Sequence, residues 1–244
     1  MSRINTIVKR ELYGYFATPV AYVFIVIFLV LAGTFTFHVG NFYQRNQADL
    51  EPFFRYLPWL YMLLIPAISM RLWSEERKSG TIELLMTLPI SLADAVIGKF
   101  LAAWIFTAIA LALTFPFWWT VNYLGDPDNT VIAAGYIGCL FMAGGFLAIG
   151  SCVSALTKNQ VIAFVLSFVI CLIFNLCGFP LVLDYFRKWA PTTLVDAISS
   201  FSFLTHASSI QKGVIDIRDV IFFATLIALF LYANMLAIEA KKSS

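Results

Sequence analysis

Apolar residues run along this chain in long uninterrupted blocks, with short polar intervals between them. The blocks cover roughly 17–39, 56–72, 96–121, 131–156, 161–183 and 220–240. Each approaches the roughly 20 apolar residues that a helix needs to cross hydrocarbon. Backbone groups in lipid must be satisfied within their own segment, so the blocks predict helices, and the alternation of a barrel strand is absent. Ahead of them, residues 1–16 are amphipathic. Ile4, Ile7, Val8, Leu12 and Tyr15 fall on one helical face, with Arg3, Lys9 and Arg10 on the other. Such a helix lies in the plane of an interface; the competing reading is a basic flank of the first span. The run from Ala17 to Val39 is too long for the apolar core of a signal peptide.

The interval Arg71–Lys99 is the long charged stretch between two such blocks. It holds Arg71, Glu75, Glu76, Arg77, Lys78, Glu83, Asp94 and Lys99. Ser74 followed by Glu75 and Glu76 predicts a helix start, and Gly80 a helix end. Thr81 can cap a second short helix carrying Glu83 and the apolar Leu84, Leu85 and Met86, which Pro89 stops. Ser91 with Asp94 forms a capping box for the third span. Short helices with an apolar face and one fixed acid suit a groove on a soluble partner.

Composition agrees with a membrane protein. Of 244 residues, 61% are hydrophobic and 12% charged, against about a quarter charged in soluble domains. A net charge of +2 gives no reason to expect nucleic acid. Cys139, Cys152, Cys171 and Cys177 all lie in apolar runs, a pattern of buried thiols. With the N-terminus inside, lysine and arginine number 10 in inner segments and 6 in outer ones. The positive-inside bias therefore puts both termini and the Arg71–Lys99 interval in the cytoplasm. Trp59, Trp118, Trp119, Tyr123 and Trp189 are expected at the outer aromatic belt and Trp73 at the inner one. Pro66 is expected to kink the second span.

In the fourth span Ala134 and Gly138, then Gly144, Ala148 and Cys152, recur every four residues, joined by Gly145 and Gly150, which permits close helix contact. Asn175 and Asn234 predict interhelical hydrogen bonds or, for Asn175, a place on a substrate path. Between the fifth and sixth spans, residues 184–217 alternate apolar clusters, including Phe201 and Phe203, with Asp196, His206 and Lys212. A full extra span would put charge at mid-membrane, so short helices dipping into the outer leaflet are expected.

The run Glu76-Arg77-Lys78-Ser79-Gly80-Thr81-Ile82-Glu83-Leu84-Leu85, then Pro89 and Gly98-Lys99, resembles the coupling segment of ABC-2 type transporter permeases. The resemblance implies an all-α integral membrane domain with six transmembrane helices. An elbow helix precedes them (1–16), a cytoplasmic coupling segment (74–90) lies between the second and third, and re-entrant outer helices (184–217) lie between the fifth and sixth. It implies docking of an ATPase subunit through Glu75, Glu76, Gly80, Thr81, Glu83, Leu84, Leu85 and Met86. It further implies a bacterial inner-membrane complex of two permease halves, identical or related, with two ATPase subunits that hold ATP and magnesium. Helices two and five would line the dimer interface, with Pro66, Asn175, Phe201 and Phe203 at the pathway. The end of the outer segment, Phe203-Leu204-Thr205-His206 with Gly213–Val220, is similar to the gliding-motility type of this family. That similarity keeps open a second role, a non-transporting anchor that passes ATPase motion to envelope partners.

The chain has no G-x-x-x-x-G-K-[ST] phosphate loop, so any ATP hydrolysis falls to a separate subunit. It has no cofactor signature, no zinc spacing and no hydrolase triad; His38 and His206 read as isolated structural residues. Cys139 and Met142, with Met62 or Met70, would suit monovalent copper in a metalloenzyme-maturation permease, although packing is the plainer reading. The spans are almost free of ionisable groups, which argues against a proton- or sodium-coupled carrier.

Overall fold

A computed structural model describes residues 3–82, 91–188, 190–211 and 216–240. Helix α1 covers Arg3–Phe16 and α2 Pro19–Gly33, with Thr18 preceding Pro19 at its start. A π-helical turn, Thr34–Val39, extends α2. Then come α3 (Glu51–Ser69), α4 (Arg71–Ser79), α5 (Leu92–Ala112), α6 (Phe115–Leu124) and α7 (Asn129–Leu156). The chain continues through α8 (Gln160–Leu176), α9 (Pro180–Arg187), α10 (Thr192–Ser200), α11 (Phe203–Gln211) and α12 (Ile217–Ala240). Among the described residues, five runs are long and apolar enough to cross a membrane, or six if α8 and α9 count as one bent span.

α7 is the axis of the bundle and packs against α3, α4, α5, α8, α11 and α12. Its glycines make that possible. A Cβ at Gly150 would lie 1.9 Å from Ser69 Oγ, and one at Gly135 would lie 2.5 Å from the Phe54 ring. Gly145 faces Phe203 and Gly144 faces Ile227 and Trp104 in the same way. Gly144, Gly145 and Gly150 are among the small residues expected at such contacts, and Gly135 joins them.

The second span runs from Glu51, earlier than expected, and Pro58 and Pro66 both sit inside it. The helix ends at Ser69, and α4 restarts at Arg71, so Ser74 lies within α4 instead of opening it. Gly80 ends α4 with φ +75°, and the Ser91–Asp94 capping box is present. The fifth span stops at Leu176, short of the expected 183, and α9 departs at 63°. Pro180 has no N–H to continue the helical ladder, and Gly178 sits in the break against Ser202. Trp73, expected at the inner interface, is fully buried.

Both asparagines bond across helices. Asn234 Nδ2 donates to Ser151 Oγ at 2.8 Å, and Asn175 Nδ2 reaches the Pro58 carbonyl at 3.5 Å. Cys139, Met142 and Met62 belong to the apolar core. Among the described residues no cluster of three His, Cys, Asp or Glu side chains is placed to hold a metal.

Candidate functional site

α4 leads directly into the segment expected to meet a partner, so what holds α4 matters most. Its first turn has amide donors and no side-chain cap from its own residues. The cap comes from α7. Ser154 Oγ accepts from the N–H groups of Trp73 and Ser74, each at 3.1 Å, and donates to the Met70 carbonyl at 2.8 Å. One hydroxyl therefore bridges the end of α3 and the start of α4. Ser74 Oγ also bonds the Met70 carbonyl. One turn further on, Arg77 donates from Nη1 to the Ala155 carbonyl.

The opposite side of α4 meets a buried cation. Lys99 in α5 has a side chain only 5% exposed. Its Nζ lies 2.8 Å from Glu76 Oε1 of α4 and 3.2 Å from Glu11 Oε2 of α1. It also stands 5.4 Å from the centre of the Trp73 ring, within range of a cation–π attraction. Burying an ammonium is costly unless partners surround it, and here α1 and α4 supply them. Gly98 makes the meeting possible, because a Cβ there would lie 2.7 Å from Ile7 Cγ2. Ile7 and Glu11 are four apart on α1, so one face of that helix packs on Gly98 and pairs with Lys99.

The Glu11 carboxyl shows the electrostatics. Burial works to raise it, but Lys99 and Arg10, which lies 2.7 Å away, hold it below the ordinary 4.5. Tyr15, one turn along α1, is half-buried, its surroundings push its phenol up, and its ring stacks on Phe106 at 5.2 Å. Two polar atoms of the joint carry no hydrogen bond among the described residues: Glu76 Oε2 and Trp73 Nε1.

Of the expected docking residues, Glu75, Gly80 and Thr81 are exposed. Glu76 instead turns inward to Lys99. Glu83, Leu84, Leu85 and Met86 lie outside the described residues. Of the expected pathway residues, Pro66, Asn175 and Phe203 are packed inside the bundle, and Phe201 is exposed. Phe203 fills the core against Phe146, with ring centres 4.4 Å apart.

Sequence reasoning missed Lys99, Glu11 and Ser154 as a joint. The available signal was a lysine inside an apolar helix, which needs carboxylate partners. It also missed that His206 is paired. Its Nδ1 lies 2.6 Å from Asp219 Oδ1, and its Nε2 lies 2.9 Å from the Ser200 carbonyl.

A multi-helix membrane protein thus emerges, in which a short helix at one end of the bundle is tied to three of its neighbours. The sequence profile of the family described as "ABC-2 family transporter protein" matches residues 7–190, and the chain belongs to that family. No curated protein matches the sequence.

Proposed function

We propose that this chain is the permease subunit of an ATP-driven exporter of the ABC-2 type. The observation that carries the reading is the mounting of α4: Ser154 and Arg77 tie it to α7, and Glu76 ties it through Lys99 to α5 and α1. A push on the segment beyond Gly80 then reaches the central helix and the first and third spans together. Glu75, Gly80, Thr81, Glu83, Leu84, Leu85 and Met86 form the docking surface for an ATPase subunit, which binds ATP and magnesium. Glu76 is the inward half of that lever. With both termini in the cytoplasm, two permease halves and two ATPase subunits complete the machine in the inner membrane.

The expected dimer face, on helices two and five, corresponds to α3 and α8. α3 is mostly enclosed within the protomer, with Leu63 its most exposed large apolar residue. α8 bares Val161, Val165, Val169 and Ile173, and α2 bares Val23, Val26 and Val30. We place the second half against α8 and α2.

The test replaces Glu83→Lys together with Leu84→Asp. The expected result is loss of ATPase co-purification and of complex-dependent ATP turnover. Retention of both at the level of the unsubstituted protein overturns the docking surface. In reconstituted vesicles, hydrolysis stimulated by a candidate cargo supports export, whereas stimulation only by an envelope partner supports the anchor role.

A further inference from the structure

At the end of the bundle away from Lys99, the bend between α8 and α9 opens a cavity of about 850 Å³. Its walls come from the first turns of α3 and α7, from the Gly178–Pro180 break and from α11. The chemistry along α3 is layered. Glu51, Arg55 and Trp59 are each four residues apart and all line the cavity. They form one file on the helix, about 6 Å per step: from the helix start inward, acid, guanidinium, then indole.

The charges are not all spent on one another. Glu51 and Asp49 are both paired to Arg45. Arg55, exposed on the wall, makes no ion pair with any described residue. Across the cavity, Asp128 accepts from the N–H groups of Thr130 and Val131 through Oδ1 and has no basic partner among the described residues. Below Asp128, the α7 wall continues as Val131 and Ile132. Phe179, whose ring meets Trp59 edge-on at 6.0 Å, extends the apolar depth.

From the start of α3 inward the order is carboxylate, guanidinium, then aromatic and aliphatic wall. We infer that this cavity is a binding site for a zwitterionic aminophospholipid. Its ammonium meets Asp128, its phosphate meets Arg55, and its acyl chains lie along Trp59, Phe179 and Ile132. Asp128 on the α7 wall and Arg55 on the α3 wall line the same cavity, which so offers an acceptor for the ammonium and a guanidinium for the phosphate of one head group. An anionic lipid satisfies Arg55 but leaves Asp128 facing its head, and a cationic amphiphile does the reverse. A guanidinium recognises a phosphate through paired charge-assisted hydrogen bonds, which sets the phosphate at that level. The site requires no coupling to an ATPase, so its failure and the failure of the exporter reading are separable.

The test uses the purified full-length chain in detergent, with bound amphiphiles read by native mass spectrometry. The probes are phosphatidylethanolamine, phosphatidylglycerol and dodecylamine, with soluble phosphoethanolamine as competitor. Phosphatidylethanolamine is expected to bind about tenfold better than either other amphiphile, the worth of one charge-assisted contact. Arg55→Gln is expected to remove that preference over dodecylamine. Asp128→Asn, which keeps the helix cap, is expected to make the two phospholipids equal. Equal binding of both phospholipids by the unsubstituted protein, or an Arg55→Gln variant unchanged toward phosphatidylethanolamine, overturns the assignment. Displacement by phosphoethanolamine at matched concentration overturns the lipid and leaves only its head as the ligand.

Discussion

Lys99 is the residue on which the α4 joint turns. Its ammonium is nearly sealed from solvent and answers two carboxylates from two other helices. Removing one partner of a buried ion pair costs about 3–5 kcal/mol, because the remaining charges lose their compensation. Lys99→Met is therefore expected to lower thermal stability markedly and to weaken the acid response. In the unsubstituted protein Glu11 is held below its ordinary 4.5. Its contribution is complete above that value and is lost as pH falls through the folded value. Without Lys99 only Arg10 opposes burial, so the Glu11 carboxyl rises and the variant loses less stability on acidification. Melting curves between pH 4 and 7 check both directions; parallel curves for the two proteins would show that Lys99 does not govern Glu11. Little of this could be read from the chain. Glu11, Glu76 and Lys99 are far apart in sequence, and only the packing of α1 on Gly98 brings them together.

At the scale of elements, apolar periodicity located the helices well and their ends less well. The capping box at Ser91 and the αL glycine at Gly80 were legible because each is a local hydrogen-bonding or backbone requirement. The start of α4 was not, because its cap is Ser154, supplied from α7. The expected Ser74 start failed for the same reason. The bend after Leu176 was hidden because the apolar run continues through Gly178 and Pro180 to Leu183. The contact between α1 and α5 gives an element-scale prediction. Gly98→Val pushes Ile7 away and separates the two helices, while Ile7→Ala in the same chain restores room. The double variant should recover about 0.5–3 kcal/mol relative to the sum of the singles, measured by thermal melting. Strict additivity would mean that the two helices do not press on each other at that point.

For the whole molecule, two ends of one bundle carry different chemistry. One holds the α4 joint, and the other holds the layered cavity. In the proposed orientation, which rests on the positive-inside count, the α4 end faces the cytoplasm. A single cysteine at Ser79, which is exposed, should react with an impermeant maleimide only after the membrane is opened. Labelling in intact cells would invert the bundle and remove the ATPase from reach. The general membrane architecture was legible from hydrophobic block lengths alone. The cavity was not, since it exists only because α3, α7, α9 and α11 converge where the fifth span turns aside.

The borrowed cap at α4 has a bearing on biogenesis. Ser154 leaves the ribosome some 80 residues after the amides it satisfies. At roughly 5–20 residues per second, that is several seconds of synthesis. Throughout that interval the first turn of α4 has no hydroxyl to hold it, and Glu76 gains Lys99 only once the third span has been made. The mounting of α4 is thus completed only after the central helix α7 has been made, while α8 to α12 are still to follow.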